Sequence, residues 1–509
     1  MQGLDNPNRE LLDAEALCRQ LVDEGSVYAF LADHRTEVFP DDMFEDLFPS
    51  LRGRPSIPAG VMASAMILKE LESLSDRQAA DALRCDIRWK VACGLALDDE
   101  GVHYTVFTYW RQRLAKSQSP NRIGDAVRQV VDATGVLSGK KRRALDSTLL
   151  DDAVATQDTV TQLVSQIRRV RRLVPQAKMV DVTAHDYDAS GKPVCAWDDP
   201  DAKAALVSGL VNDALAILDA VTDIQLDDKA TDAVGLLALV AGQDVEPGDG
   251  EGTWRIVDGT ARDRVISTVD PEARHMHKSV SQYRDGYKAH IAVEPETGII
   301  TASTLTPANT ADGPVGVNLL EGEEPGLQVL ADSAYGSGEV RADLKDAKHT
   351  VVIKPIPLKR NHRLGDDQFT RDDFTIDYRN ETVTCPNNAT VPISASGTAS
   401  FGARCNGCPI RERCTSGNRG RTFRVSNHDQ LLAQARAQWQ ARDGFADYRQ
   451  YRPMVERSIS WIVTNGHRRV RYRGIEPNRA QLALRVAAIN LRRLVNLGLN
   501  HNGHAWAVT

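Results

Sequence analysis

Three acidic residues stand where a divalent cation would be held. Asp146 follows Arg143-Ala144-Leu145, Asp332 closes the apolar run Leu327-Gln328-Val329-Leu330-Ala331, and Glu456 ends the arginine-rich stretch Tyr448-Arg449-Gln450-Tyr451-Arg452-Pro453-Met454-Val455. An acid among cations is ordinarily a surface ion pair worth little. Taken together, however, two acids borne by apolar strands and a third at the start of a helix make one metal site. Hard divalent cations take oxygen ligands, and rigid elements hold such ligands best.

A second set of residues has the spacing of metal ligands. Cys385-Pro386, Cys405-Asn406-Gly407-Cys408-Pro409 and Cys414 gather four of the eight cysteines into 30 residues. The N-terminus lacks a signal peptide's basic and apolar regions, which disfavours disulfides, and a CxxC pair with two outlying cysteines fits a tetrahedral zinc site of four thiolates. Such a site is closed and structural, stapling a loop-rich insert too small to bury a core of its own. Free or redox-active thiols are the alternative. Cys18, Cys85, Cys93 and Cys195 lack this spacing and read as small buried or incidental residues.

The elements that must position these residues follow from length and periodicity. A chain of 509 residues exceeds one hydrophobic core and divides into several units, with the 42% apolar and 26% charged content of a globular protein. No run of about 18 uncharged apolar residues occurs, so the expectation is a cytoplasmic protein with no membrane partner. Residues 1–125 read as short helices. Val61, Ala65, Leu68 and Leu71 recur at helical spacing behind Pro58, and Ser75 with Gln78 forms a capping box. A further helix runs from about Thr105 to Lys116. This unit resembles a helix-turn-helix bundle whose Arg111 and Arg113 face a duplex; a bundle that only packs or dimerises is the competing reading.

Residues 140–154 and 255–356 read as the first part of a mixed α/β core. A buried strand ends at or near Asp146, Gly286–Val293 and Gly298–Leu305 form a hairpin, and strands 327–331 and 351–353 follow. Between these parts, 155–254 is a helical insertion closing on a linker at 242–252. Residues 357–426 are the cysteine-rich insertion. Residues 427–509 complete the core, with helices over about 429–442, 453–466 and 479–497.

Charge is distributed unevenly. The net charge is −7, yet residues 401–509 hold 19 Arg, no Lys and 6 acids, leaving the first 400 residues strongly acidic. Arginine forks onto phosphate oxygens, so Arg452, Arg457, Arg468, Arg469, Arg471 and Arg473 are candidate DNA contacts. A solvated basic surface balancing an acidic one is the alternative.

Over nearly its whole length the sequence resembles the DDE transposases of bacterial insertion sequences, in the group with an InsH-like N-terminal domain. The resemblance rests on Ala144-Leu145-Asp146-Ser147-Thr148, Gly286-Tyr287-Lys288-Ala289-His290, Thr306-Pro307-Ala308-Asn309-Thr310-Ala311-Asp312, Ala331-Asp332-Ser333-Ala334-Tyr335 and Arg452-Pro453-Met454-Val455-Glu456. Three positions depart from the group's pattern: Arg449 stands for its tyrosine, Val463 for its lysine and Ala334 for its glycine. Tyr448 or Tyr451 is the expected substitute for the first.

The resemblance implies an α/β, ribonuclease H-like catalytic core with a helical N-terminal domain, a helical insertion and a zinc-binding insertion. It also implies two Mg2+ ions, roughly 3.5–4 Å apart and replaceable by Mn2+, held by Asp146, Asp332 and Glu456, with Glu456 also a base and Arg452 near a phosphate. The implied activity is cleavage of double-stranded DNA at terminal inverted repeats and strand transfer into target DNA, by a homodimer acting on the nucleoid. A nuclease that cuts without joining, and a catalytically silent DNA-binding protein, are the alternatives.

Overall fold

In the computed structural model, all residues are described except 5–11, 51, 262, 280, 281, 359, 362, 363, 366, 442, 443 and 509. The N-terminal region folds as α1 (Ala14–Cys18), α2 (Val27–Val38), α3 (Ala59–Leu71), α4 (Asp76–Cys85), α5 (Ile87–Cys93), α6 (Thr105–Lys116) and α7 (Arg122–Thr134). The capping box at Ser75 and Gln78 is formed, and Asp86 ends α4 while capping α5. The helix α7 lies outside the expected elements, and the unit does not stop at residue 125. Ile123, Val127 and Val131 of α7 share one core with Phe30, Met62, Ile67 and Trp110.

The core is built on one sheet. Its strands are β1 (Arg142–Asp151), β4 (Arg274–Ser279), β5 (Gln282–Val293), β6 (Ile300–Pro307), β7 (Gln328–Ala331) and β8 (Thr350–Ile353). The order is β4-β5-β1-β7-β8, with β6 also on β5. Strands β6, β5 and β1 are antiparallel, whereas β7 and β8 run parallel to β1. Four antiparallel strands, β4 among them, are thus continued by two parallel ones, a mixed α/β core as expected. β1 corrects one expectation: it runs five residues past Asp146, because β5 pairs with it from Ala144 through Asp151.

The insertion after β1 has its own core. Helices α8 (Thr159–Leu173), α9 (Pro175–Lys178), α10 (Pro200–Ala220) and α11 (Asp228–Gly242) bury Leu163, Ile167, Leu210, Ile217 and Leu237 together. The stretch expected to be a linker instead pairs Val245–Pro247 (β2) with Trp254–Ile256 (β3), since Ser208 and Asn212 of α10 bind the Trp254 backbone and indole. Between β6 and β7 lies α12 (Asp312–Asn318), and α13 (Gly338–Asp346) precedes β8.

The cysteine-rich insertion contains β9 (Thr375–Asp377), β10 (Thr382–Thr384), β11 (Thr390–Pro392), β12 (Thr398–Ser400), α14 (Arg411–Cys414) and β13 (Thr422–Arg424). It buries Phe374, Phe401 and Phe423 against Val383 and Val391. The expectation that it has no core of its own is therefore corrected: three aromatic rings supply one.

The chain returns through α15 (Asp429–Gln440), α16 (Gly444–Tyr451), α17 (Pro453–Val463) and α18 (Ile475–Asn496), then a hairpin of β14 (Leu499–His501) and β15 (Trp506–Val508). The expected end of α15 at Arg442 lies outside the described residues. On one face α18 covers β6 with Ile489, and on another it inserts Ala487, Ala488, Leu491 and Leu494 into the N-terminal helical core. The first and last parts of the chain are thus one packed body.

Candidate active site

β1, β7 and α17 bring the three acids toward one another. The β1–β7 register sets Ala144 opposite Leu330. Two residues on, Asp146 comes level with Asp332, which leaves β7 and accepts a 2.9 Å bond from the Ala334 amide. Asp332 lies near enough for its charge to act on Asp146. The third acid comes from α17. Pro453 occupies the first turn, where its missing N–H is harmless, and Val455, Ser458 and Ile462 face inward. Arg493 of α18 donates to Ser458 Oγ at 3.0 Å and Arg485 to the Trp461 carbonyl at 2.8 Å, fixing the helix against its neighbour.

One guanidinium joins two of the acids. Arg452, 4% exposed, places Nη2 3.1 Å from Asp146 Oδ2 and Nη1 3.5 Å from Glu456 Oε1. Asp146 also accepts the Ser147 amide at 2.8 Å. Burial raises the Asp146 pKa, Arg452 opposes that rise, and the Asp332 charge adds to it. Tyr448 on α16 lies in the same field: burial raises its pKa, Arg452 lowers it, and Asp332, Glu456 and Asp146 raise it further. Tyr451, the other expected substitute for the tyrosine, turns away to stack beneath Arg142, 4.2 Å from the ring centre.

The donor set suits a hard divalent cation. A nearly buried guanidinium between Asp146 and Glu456 marks where positive charge is needed, and Asp146 beside Asp332 is a like-charge pair that the one guanidinium does not neutralise. The three carboxylates do not all come within 4.8 Å of one another. Glu456, with two thirds of its side chain exposed, stands off toward solvent.

On the opposite face of β1, residues that carried the resemblance form a second cluster. Asp312 Oδ1 accepts from Ser147 Oγ at 2.8 Å, lies 3.1 Å from Lys288 Nζ, and stands 3.6 Å from the Nδ1 of His290. His290 is wholly buried, and burial pushes its pKa down to about 4. The sequence marked these motifs but gave no sign that they support β1 from behind.

The arginines divide into two groups. Arg111 forks onto Asp76 at 2.9 and 2.6 Å, Arg468 binds Thr148 Oγ1 and the Leu149 carbonyl, and Arg469 binds the carbonyls of Asp152 and Ala153. Arg471 donates to the carbonyls of Ser73 and Leu74 in the turn between α3 and α4. These four hold the protein together, as does Arg452. Arg113, Arg457, Arg473 and also Arg469 are exposed, Arg113 lying over the Phe48 ring.

The four cysteines Cys385, Cys405, Cys408 and Cys414 line one small cavity beside Phe374 and Phe401. No three of their sulfurs lie within 4.8 Å of one another. Burial raises the Cys414 thiol, Arg421 lowers it, and the other three sulfurs add to the rise.

Comparison with known families agrees with this architecture. The Transposase DDE domain matches residues 250–491, and the Transposase domain (DUF772) matches residues 17–113. Together they take in about two thirds of the chain. No curated protein and no solved structure matches it. The chain belongs to the DDE transposases, enzymes of the polynucleotidyl transferase and nuclease class, and is an insertion-sequence transposase. The DDE match contains Asp332 and Glu456; Asp146 lies ahead of it, joined to it by the pairing of β1 with β5 and β7. Among the described residues no helix is long and apolar enough to cross a membrane.

Proposed function

We propose that Asp146, Asp332 and Glu456 are the catalytic acids of this transposase and hold a pair of Mg2+ ions, with Mn2+ able to replace them. The observation that carries this reading is Arg452, a cation held between Asp146 and Glu456, while the nearby charge of Asp332 has no cation paired with it among the described residues. When bound, such ions activate a water or a DNA 3′-hydroxyl and stabilise the leaving oxygen of an in-line phosphodiester displacement. Asp146 and Asp332 are the principal ligands, fixed by strand pairing and by the Ser147 and Ala334 amides. Glu456, exposed at the start of α17, is the third ligand and accepts the nucleophile's proton. Arg452, paired with Asp146 and Glu456, would hold these two acids in place and lie near a phosphate of the bound DNA.

The substrate is double-stranded DNA: the terminal inverted repeats of the element, then a target duplex. Arg457, Arg473 and Arg113 are the available phosphate contacts, and pairing of two element ends calls for a homodimer. The site of action is the cytoplasm, on the nucleoid. Zn2+ fits the cysteine cavity, where the mutual repulsion acting on Cys414 favours a cation that draws the four sulfurs inward.

The test is incubation with the element's end sequences and Mg2+. Wild type cleaves, and Asp332→Asn binds the ends without cleaving; equal cleavage by both refutes the assigned centre. Pre-cleaved ends offered with target duplex separate a transposase, which joins them, from a nuclease, which does not.

A further inference from the structure

Far from the acids, a different ligand set lies between the two ends of the chain. His34 and Glu37 are three residues apart on α2, so one helix turn presents both on the same face. His501 ends β14, and the docking of the hairpin on the N-terminal core brings it to them. One ligand atom from each of the three falls within 4.8 Å of the others, and among the described residues this is the one group of three or more His, Cys, Asp or Glu to do so.

The surroundings orient the rings. Trp506 pairs with His501 across the hairpin and stacks on it at 4.4 Å, meets His34 edge-on at 5.6 Å, and packs against Phe30 at 5.7 Å. The two imidazoles stand 5.8 Å apart at 72°. The Nδ1 of His34 is buried with no hydrogen-bond partner. A buried ring nitrogen without a partner calls for an explanation, and a bound ion supplies one. Glu37 is exposed and accepts at Oε2 from Thr36 Oγ1 at 3.0 Å, leaving Oε1 free to ligate.

We propose that His34, Glu37 and His501 form a zinc-binding site that fastens the C-terminal hairpin to the N-terminal helical domain. Two imidazoles and a carboxylate are a borderline-soft donor set, suited to Zn2+ and its close relatives rather than to Mg2+. Three protein ligands leave a fourth position for water. The site is separate from both the carboxylate centre and the cysteine cavity, and its role is to hold the two ends of the chain together.

The test uses the full chain carrying Cys405→Ser and Cys408→Ser, so that zinc in the cysteine cavity does not count. After equilibration with Zn2+ and desalting, this protein retains one zinc per chain. His34→Gln with His501→Gln abolishes retention, and Glu37→Gln weakens Zn2+ affinity by at least about 10-fold, since losing a ligand costs no less than losing its supporting shell. Zinc retained equally by the double histidine variant overturns the proposal. In the chain with its cysteines intact, Zn2+ slows amide exchange across residues 499–508, and Glu37→Gln removes that slowing. Exchange indifferent to Zn2+ also overturns it.

Discussion

Arg452 is bonded to Asp146 across 3.1 Å, joining the first turn of α17 to the middle of β1. The contact spans 306 positions of sequence, yet it sets where Glu456 stands, because the same guanidinium reaches that acid one helix turn on. A planar fork serves both carboxylates at once, which a lysine ammonium does not. Arg452→Lys is therefore expected to fold and bind DNA but to cleave about 10–100-fold more slowly, as befits loss of one charged hydrogen bond. Cleavage rates with saturating Mg2+ check this; an unchanged rate shows that the fork has no positioning role.

The exposed and the engaged arginines are expected to separate in binding assays. Arg457→Ala and Arg473→Ala each lower the slope of log affinity against log salt by about 1, as loss of one phosphate contact does. Arg471→Ala leaves that slope alone and instead destabilises the fold by about 1.5–3 kcal/mol, because two carbonyls in the α3–α4 turn lose a charged donor. Salt titrations alongside denaturant unfolding distinguish the two effects.

A buried carboxyl pair gives the protein a pH signature. Burial and the neighbouring Asp270 push Asp152 up to about 6, and Tyr287 donates to Asp270 at 2.7 Å. Between roughly pH 4 and 6 the folded chain keeps a proton that the unfolded chain has released, so stability from this pair declines as pH rises through that window. Asp152→Asn removes the decline. Its thermal midpoint, relative to wild type, is expected to be higher at about pH 7.5 than at about pH 4.5; a constant difference at both contradicts the assignment.

The Zn2+ proposed for the cysteine cavity is expected to act locally. With it bound there, Cys408→Ser, or a chelator, opens residues 357–426 to protease while leaving the sheet intact, because the insertion has a core separate from that of the sheet. Protection unchanged by either treatment argues that the aromatic core suffices without metal.

Much of this architecture was legible in the sequence where local signals agree with the fold. The Ser75 capping box, the α6 helix, the β5–β6 hairpin and the α17 start at Pro453 all carry their cause within a few residues. The length of β1 was not legible, because its last five residues are held by pairing with β5, more than a hundred positions away. The internal partners of the arginines were not legible for a similar reason. A run such as Arg468-Arg469-Val470-Arg471 looks like a phosphate surface, and only the folded chain reveals carbonyls of β1, of the residues just after it and of the α3–α4 turn that accept from those side chains. Tyr448 and Tyr451 are three residues apart on neighbouring positions of α16, so the sequence left both open, and only the folded chain shows Tyr448 in the field of the acids and Tyr451 beneath Arg142.

The most direct test of the catalytic centre is the Mg2+-dependent cleavage rate of end DNA by Asp146→Asn, Asp332→Asn and Glu456→Gln, each beside its DNA affinity. The account predicts that every variant binds as wild type does and cleaves on the order of 10³-fold more slowly, the equivalent of about 4 kcal/mol of lost charge stabilisation. Asp146 is the decisive member, since it lies outside the matched DDE segment. Wild-type cleavage by Asp146→Asn would contradict the three-acid centre.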